Sequence, residues 1–65
     1  MSRYSRAQLD REGRLAARNY RKEQDPEKNY WGSRAKMEFW ELIIDGLNVT
    51  LQVHLDNGYF VNVAI

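Results

Sequence analysis

Residues 45–58 read DGLNVTLQVHLDNG, and the fold turns on how this stretch is read. Leu47, Val49, Leu51, Val53 and Leu55 alternate with Asn48, Thr50, Gln52, His54 and Asp56. Successive side chains of a strand point to opposite sides, so this is a strand with one apolar face. Turn signals bracket it. Asp45-Gly46 suits a two-residue hairpin, and Asp56-Asn57-Gly58 suits a three-residue loop with glycine in the left-handed position. A two-residue turn at 45–46 pairs Ile44 with Leu47, Leu42 with Val49 and Trp40 with Leu51. A three-residue turn at 56–58 pairs Leu55 with Tyr59, Val53 with Val61, Leu51 with Val63 and Val49 with Ile65. Both registers put apolar residues on the same face, and a one-residue slip would destroy that agreement. The predicted core face is Trp40, Leu42, Ile44, Leu47, Val49, Leu51, Val53, Leu55, Tyr59, Val61, Val63 and Ile65.

Residues 34–45 also admit a helix. Arg34, Glu38, Glu41 and Asp45 would share one stripe, with Ser33 as cap and Gly46 as stop, giving an α-α-β-β chain. A two-stranded hairpin alone is weak, however, and the matched registers need the third strand.

Upstream, residues 5–24 are rich in Ala, Leu, Arg, Gln, Glu and Lys and hold no proline. At 100° per residue, Leu9, Gly13, Ala16 and Tyr20 form a narrow stripe with Ala17 beside it. Arg11, Arg14, Arg18, Arg21 and Lys22 gather opposite. Ser5 is the candidate N-cap, with Ser2 as the alternative. Such a thin stripe of small residues lets a helix lie close to a sheet. Pro26 disfavours helical geometry at Asp25 and opens a linker over 25–35, whose Tyr30-Trp31 pair is expected over the edge of the core. The predicted architecture is α+β in one domain, 1–65. A basic amphipathic helix (5–24) packs on a three-stranded antiparallel meander (36–65).

The chain has 65 residues, no cysteine, one histidine and a net charge of +1. Without cysteine there is no disulfide framework and no thiolate metal site, and one imidazole excludes any site needing two. No apolar run approaches a membrane span, and the Arg-rich start is unlike a signal peptide. The expectation is a cytoplasmic protein without a membrane segment. Asn48-Val49-Thr50 matches the glycosylation triplet by chance on that reading. A chain this short buries only about 60% of its unfolded-chain surface, so a partner or second subunit is expected to add stability.

The small net charge hides a division. Residues 1–24 carry seven basic and three acidic side chains, and residues 25–65 carry three basic and six acidic ones. The basic helix back suits carboxylates or phosphates, and arginine forks pair well with both. On the outer sheet face the same registers line up Met37, His54 and Phe60 in one row and Phe39, Gln52 and Asn62 in the next. That apolar and amide surface suits protein contact. His54 has only Met37 and Phe60 beside it on these registers, and no catalytic constellation, cofactor motif or metal-ligand spacing is present. The last strand, with Tyr59, Val61, Val63 and Ile65, carries no charge. That makes it a candidate edge for pairing with a second copy or a target.

Together these features predict a small non-enzymatic regulator or inhibitor of a larger protein complex. Its contact residues would be Arg11, Arg14, Arg18, Arg21, Lys22, Phe39, His54 and Phe60, its partner would have an acidic surface, and no cofactor or metal is expected. The alternatives are a nucleic-acid binder using the arginine helix on phosphates and a structural subunit of an oligomer such as a homodimer.

Overall fold

The computed structural model describes residues 4–65. Helix α1 (Arg6–Glu23) is followed by a single 3-10 turn (Gly32–Arg34) and three strands, β1 (Met37–Asp45), β2 (Asn48–Leu55) and β3 (Phe60–Ala64). The strands form one antiparallel sheet in the order β1-β2-β3. This is the predicted helix on a meander, and the helical alternative for 34–45 is excluded, because that segment carries β1.

Local chemistry sets the helix ends. Ser5 is extended, its hydroxyl accepts from the Gln8 amide (3.2 Å), and its own amide donates to Gln8 Oε1 (2.9 Å). This reciprocal capping box satisfies two of the donors a helix start leaves open. At the other end Arg21 and Lys22 occupy the last turn, where cations favour the helix dipole. In the linker, the Asp25 carboxylate accepts from the Glu27 amide and its carbonyl accepts from the Lys28 and Asn29 amides, so the chain turns at Pro26.

Leu9, Gly13 and Ala17 are the buried helix residues. They rest on Leu51, Val53 and Leu55 of the central strand, and Ala35 completes the core. Gly13 is there for close approach. A Cβ at that position would lie 2.7 Å from Met37 Sδ.

The β2–β3 register is the predicted one: Leu51 faces Val63 and Val53 faces Val61. The β1–β2 register differs by two residues. Asp45 faces Asn48, Ile44 faces Val49, Leu42 faces Leu51 and Trp40 faces Val53. The hairpin loop is therefore Gly46-Leu47. Gly46 has φ +61°, and among the described residues no non-glycine residue has positive φ. That matches a type II′ turn, with glycine first, rather than a type I′ turn needing positive φ twice. A shift of two preserves which residues share a face, so the alternation could not detect it.

Three further expectations fail. Leu47 lies in the loop and is fully exposed at 101%, Ile44 is 71% and Leu42 36% exposed, and Tyr59 is also open to solvent. The predicted core face is thus buried at one end only, where α1 covers it. Met37 faces inward, because the register is irregular between Met37 and Phe39, and it pairs with Leu55. Two β1 residues there span one step of β2, as at a bulge, and this reverses the side to which Met37 points. Finally, Tyr30 and Trp31 do not cover the core. They make an edge-on pair (5.1 Å, 82°) with Trp31 74% exposed. From the same linker it is Ala35 that is buried in the core.

Candidate functional site

Two surfaces collect the predicted contact residues. The first is a groove between α1 and the start of β1. Arg11, Arg14 and Arg18 line it from the helix, Lys36 and Met37 from the sheet side, with Leu15 and Ala17 supplying apolar area. It joins a second depression through Arg21 and Lys36, which also contains Trp31, Arg34 and Asp56. The helical spacing of three and four residues stacks Arg11, Arg14 and Arg18 along one flank.

The cations differ in how far they are committed. Arg14 Nε donates to Asp10 Oδ2 at 2.9 Å, yet its side chain stays largely exposed. Arg21 Nη1 donates to the Ala35 carbonyl at 2.8 Å, tying the helix to the segment before β1. It is half-buried, so it is a structural tether as well as a groove residue. Arg34 lies over the Tyr30 ring at 5.2 Å. Among the described residues, no ion pair engages Arg11, Arg18 or Lys36. Lys22, predicted with this group, is exposed and lines neither depression.

Asp10 organises the other end of the helix. It accepts from Arg14 and, at 3.3 Å, from Trp40 Nε1. The hydrogen bond from Arg14 is the main cause that holds its carboxyl below the ordinary value, against an opposing effect of burial. A depressed acid contributes stability above its unfolded-state pKa, and that stability is lost as pH falls through the folded-state value. Acidification through the carboxylate range is therefore expected to lower the melting temperature slightly and to change Trp40 fluorescence. Asp10→Asn should remove the fluorescence step. Persistence of the step in the variant would assign it to another carboxylate.

The second surface is the outer sheet face. The corrected register places Phe39, His54 and Phe60 in one row across the three strands. Phe39 stacks on His54 (4.3 Å, 11°), and Phe60 flanks the imidazole from the other side (5.9 Å, 40°). His54 also has a carboxylate partner: Nε2 lies 3.0 Å from Glu41 Oε2. The expected neighbour Phe60 is in place, whereas the expected Met37 is replaced by Phe39 and Glu41. Gln52 donates to Asn62 (3.3 Å) in the adjoining row. Strand β3 lies at a sheet edge, as predicted, with Val61, Val63 and Ile65 half-buried on the inner face.

The sequence reading missed Lys36, Leu15, Trp31 and Arg34 as members of the basic groove. Leu15 carried a signal, being a large apolar residue off the helix stripe. Lys36 and Arg34 carried none, because only the fold back of β1 along α1 brings them there.

Compared with protein-family models, with curated proteins and with solved structures, the chain matches none. Among the described residues, no helix is long and apolar enough to cross a membrane. Among the same described residues, no group of three His, Cys, Asp or Glu side chains is placed to hold a metal ion.

Proposed function

We propose that this protein is a small non-enzymatic regulator that binds the acidic surface of a larger protein complex through the α1–β1 groove. One observation carries the reading. The row Arg11, Arg14 and Arg18, extended by Lys36, borders a groove with Leu15, Ala17 and Met37 in it. Cations beside aliphatic surface complement a partner that offers carboxylates and apolar side chains together. Protein interfaces have that mixed character, with arginine enriched. A phosphate backbone would use the cations and leave the aliphatic area unmatched. The acidic groups of the sheet half, Glu38, Glu41 and Asp45, would also repel a long polyanion. The exposed Phe39–His54–Phe60 row is a second contact surface on the other side of the sheet. The reading sets the protein in the cytoplasm, in keeping with a fold that uses no disulfide.

A pull-down with and without nuclease treatment, using wild type and the Arg11→Glu, Arg18→Glu double variant, tests this. A protein retained after nuclease and lost in the variant is the expected result. Loss of every partner after nuclease would replace the reading with nucleic-acid binding.

A further inference from the structure

Trp31 is 74% exposed. Tryptophan is highly buried on average, so an open indole is an informative exception. The exposure does not come from a loose segment, because the turn that carries it is hydrogen-bonded throughout. The Asn29 amide donates to the Asp25 carbonyl (2.7 Å). The Asn29 side chain ties both flanks: Nδ2 donates to Gln24 Oε1 (3.0 Å) at the helix end, and Oδ1 accepts from the Gly32 amide (3.0 Å). The Asn29 carbonyl accepts from the Ser33 amide, and the Ser33 hydroxyl donates to the Tyr30 carbonyl (2.7 Å). The Trp31 carbonyl accepts from the Arg34 amide (3.3 Å). Gly32 is buried, and a Cβ there would overlap the Asn29 side-chain amide. A tightly bonded turn thus holds Trp31 out to solvent, which lowers the ordering cost of using it in a contact.

Its surroundings are basic. The depression that Trp31 lines also holds Arg21, Arg34 and Lys36, and Asp56 is the one acid among its lining residues. That carboxylate already accepts from the Lys36 amide (3.1 Å). Arg21 and Lys36 line the arginine groove as well, so the two depressions are continuous. Tyr30 meets Trp31 edge-on (5.1 Å, 82°), and Arg34 lies over the Tyr30 ring. The two rings therefore offer no pair of parallel faces to successive bases, which is how stacking platforms hold a single strand. From Arg11 to Arg21 the helix rises about 15 Å. An extended chain covers that length in about five residues.

We propose that Trp31 is the apolar anchor of the basic groove, and that the partner presents an acidic segment with an aromatic or aliphatic side chain at one end. The acidic run pairs with Arg11, Arg14, Arg18 and Lys36, and the apolar side chain lies on the open indole beyond Arg21. The assignment rests on the groove being the contact surface, and it adds what tells one acidic partner from another. Carboxylates alone pair with any arginine row. An indole at one end of that row rewards an apolar side chain at one place only. Tryptophan is among the residues that dominate interface energetics, and it does so where surrounding contacts exclude water. Arg21, Arg34 and Lys36 provide those surroundings here, and they select carboxylates beside the partner's apolar residue.

Fluorescence anisotropy at low salt tests the proposal, with labelled hexaglutamate alone and with a phenylalanine added at either end. One of the two tailed peptides is expected to bind at least about tenfold more tightly than the plain one. Trp31→Ala should bring that ratio to about one, and Trp31→Phe should keep most of it. Trp31→Ala should melt with wild type, since the indole is open to solvent. No gain from either tail, or a gain that survives Trp31→Ala, would overturn the anchor. The groove reading would still stand in that case if Arg11→Glu with Arg18→Glu abolishes hexaglutamate binding. Absence of hexaglutamate binding to wild type would remove both. Trp31-dependent binding of a thymidine oligomer of equal charge, tighter than that of either tailed peptide, would assign the indole to base stacking and equally overturn the proposal.

Discussion

Leu51→Ala is expected to remove about 3 kcal/mol of stability, within the usual range for a buried leucine cut to alanine. Leu51 is fully buried (0%) in the central strand, between Leu42 and Val63. Its neighbours have little room to collapse into the space, because two are fixed by strand pairing and the helix above is tied down by the Asp10–Trp40 and Arg21–Ala35 hydrogen bonds. At about 0.05–0.15 kcal/mol per residue, a domain of this length has roughly 3–10 kcal/mol in total. The substitution therefore takes a large share of the whole. At about 4–8 °C per kcal/mol, thermal unfolding should shift down by more than about 10 °C. Ile44→Ala is the informative control. It lies on the same face, yet in dilute monomer it should cost well under about 1 kcal/mol, since that end of the sheet lacks its helix. Equal losses at both positions would mean that the hairpin end is covered within a single chain.

Reversing two charges in the groove with Arg11→Glu and Arg18→Glu is expected to reduce affinity for an acidic partner at least about 100-fold. That corresponds to about 2.8 kcal/mol at 1.4 kcal/mol per tenfold change. Like charges facing each other across an interface cost several kcal/mol, so reversal acts more strongly than truncation. Stability should hardly change. Both side chains are exposed, neither has an ion-pair partner among the described residues, and glutamate is as good a helix former as arginine. The measurement is fluorescence anisotropy of labelled polyglutamate and of a duplex DNA of matched charge across a salt series, beside a thermal melt of each variant. Lysine at both positions separates charge from guanidinium geometry: retained binding means charge suffices, and loss means the planar fork is used. If the double reversal leaves polyglutamate binding intact, the groove is not the contact surface.

The pattern of what could be read ahead follows from the range of each interaction. The helix over α1, its Ser5 cap and its narrow stripe depend on residues within four positions of one another, and they are legible in the letters. The strand β2 and its two faces follow from strict alternation, which is equally local. The β2–β3 register is set by a short loop whose glycine, Gly58, has φ +91°. The β1–β2 register was not fixed in this way, because Asp45-Gly46 and Gly46-Leu47 both make two-residue loops with the same facing. Moving the loop by one residue shifts the pairing by two and leaves the alternation intact. The bulge at Glu38 was equally silent, yet it decides that Met37 meets Gly13 rather than His54. Those two local facts rearranged the candidate surface. They brought Phe39 beside His54 and left Leu47 at the tip of the molecule.

By itself, then, the sequence determined the elements, their order and the apolar face of each strand, through helix periodicity, strand alternation and turn chemistry acting between near neighbours. The tertiary structure alone decided how far α1 reaches along that face and where the chain brings Lys36 and Arg34 to the arginine row. Both depend on the angle and position at which the helix settles on the sheet. The close approach at Gly13, the Asp10–Trp40 bond and the Arg21–Ala35 tether set that position, and each joins residues at least fourteen positions apart, whose meeting no local pattern encodes.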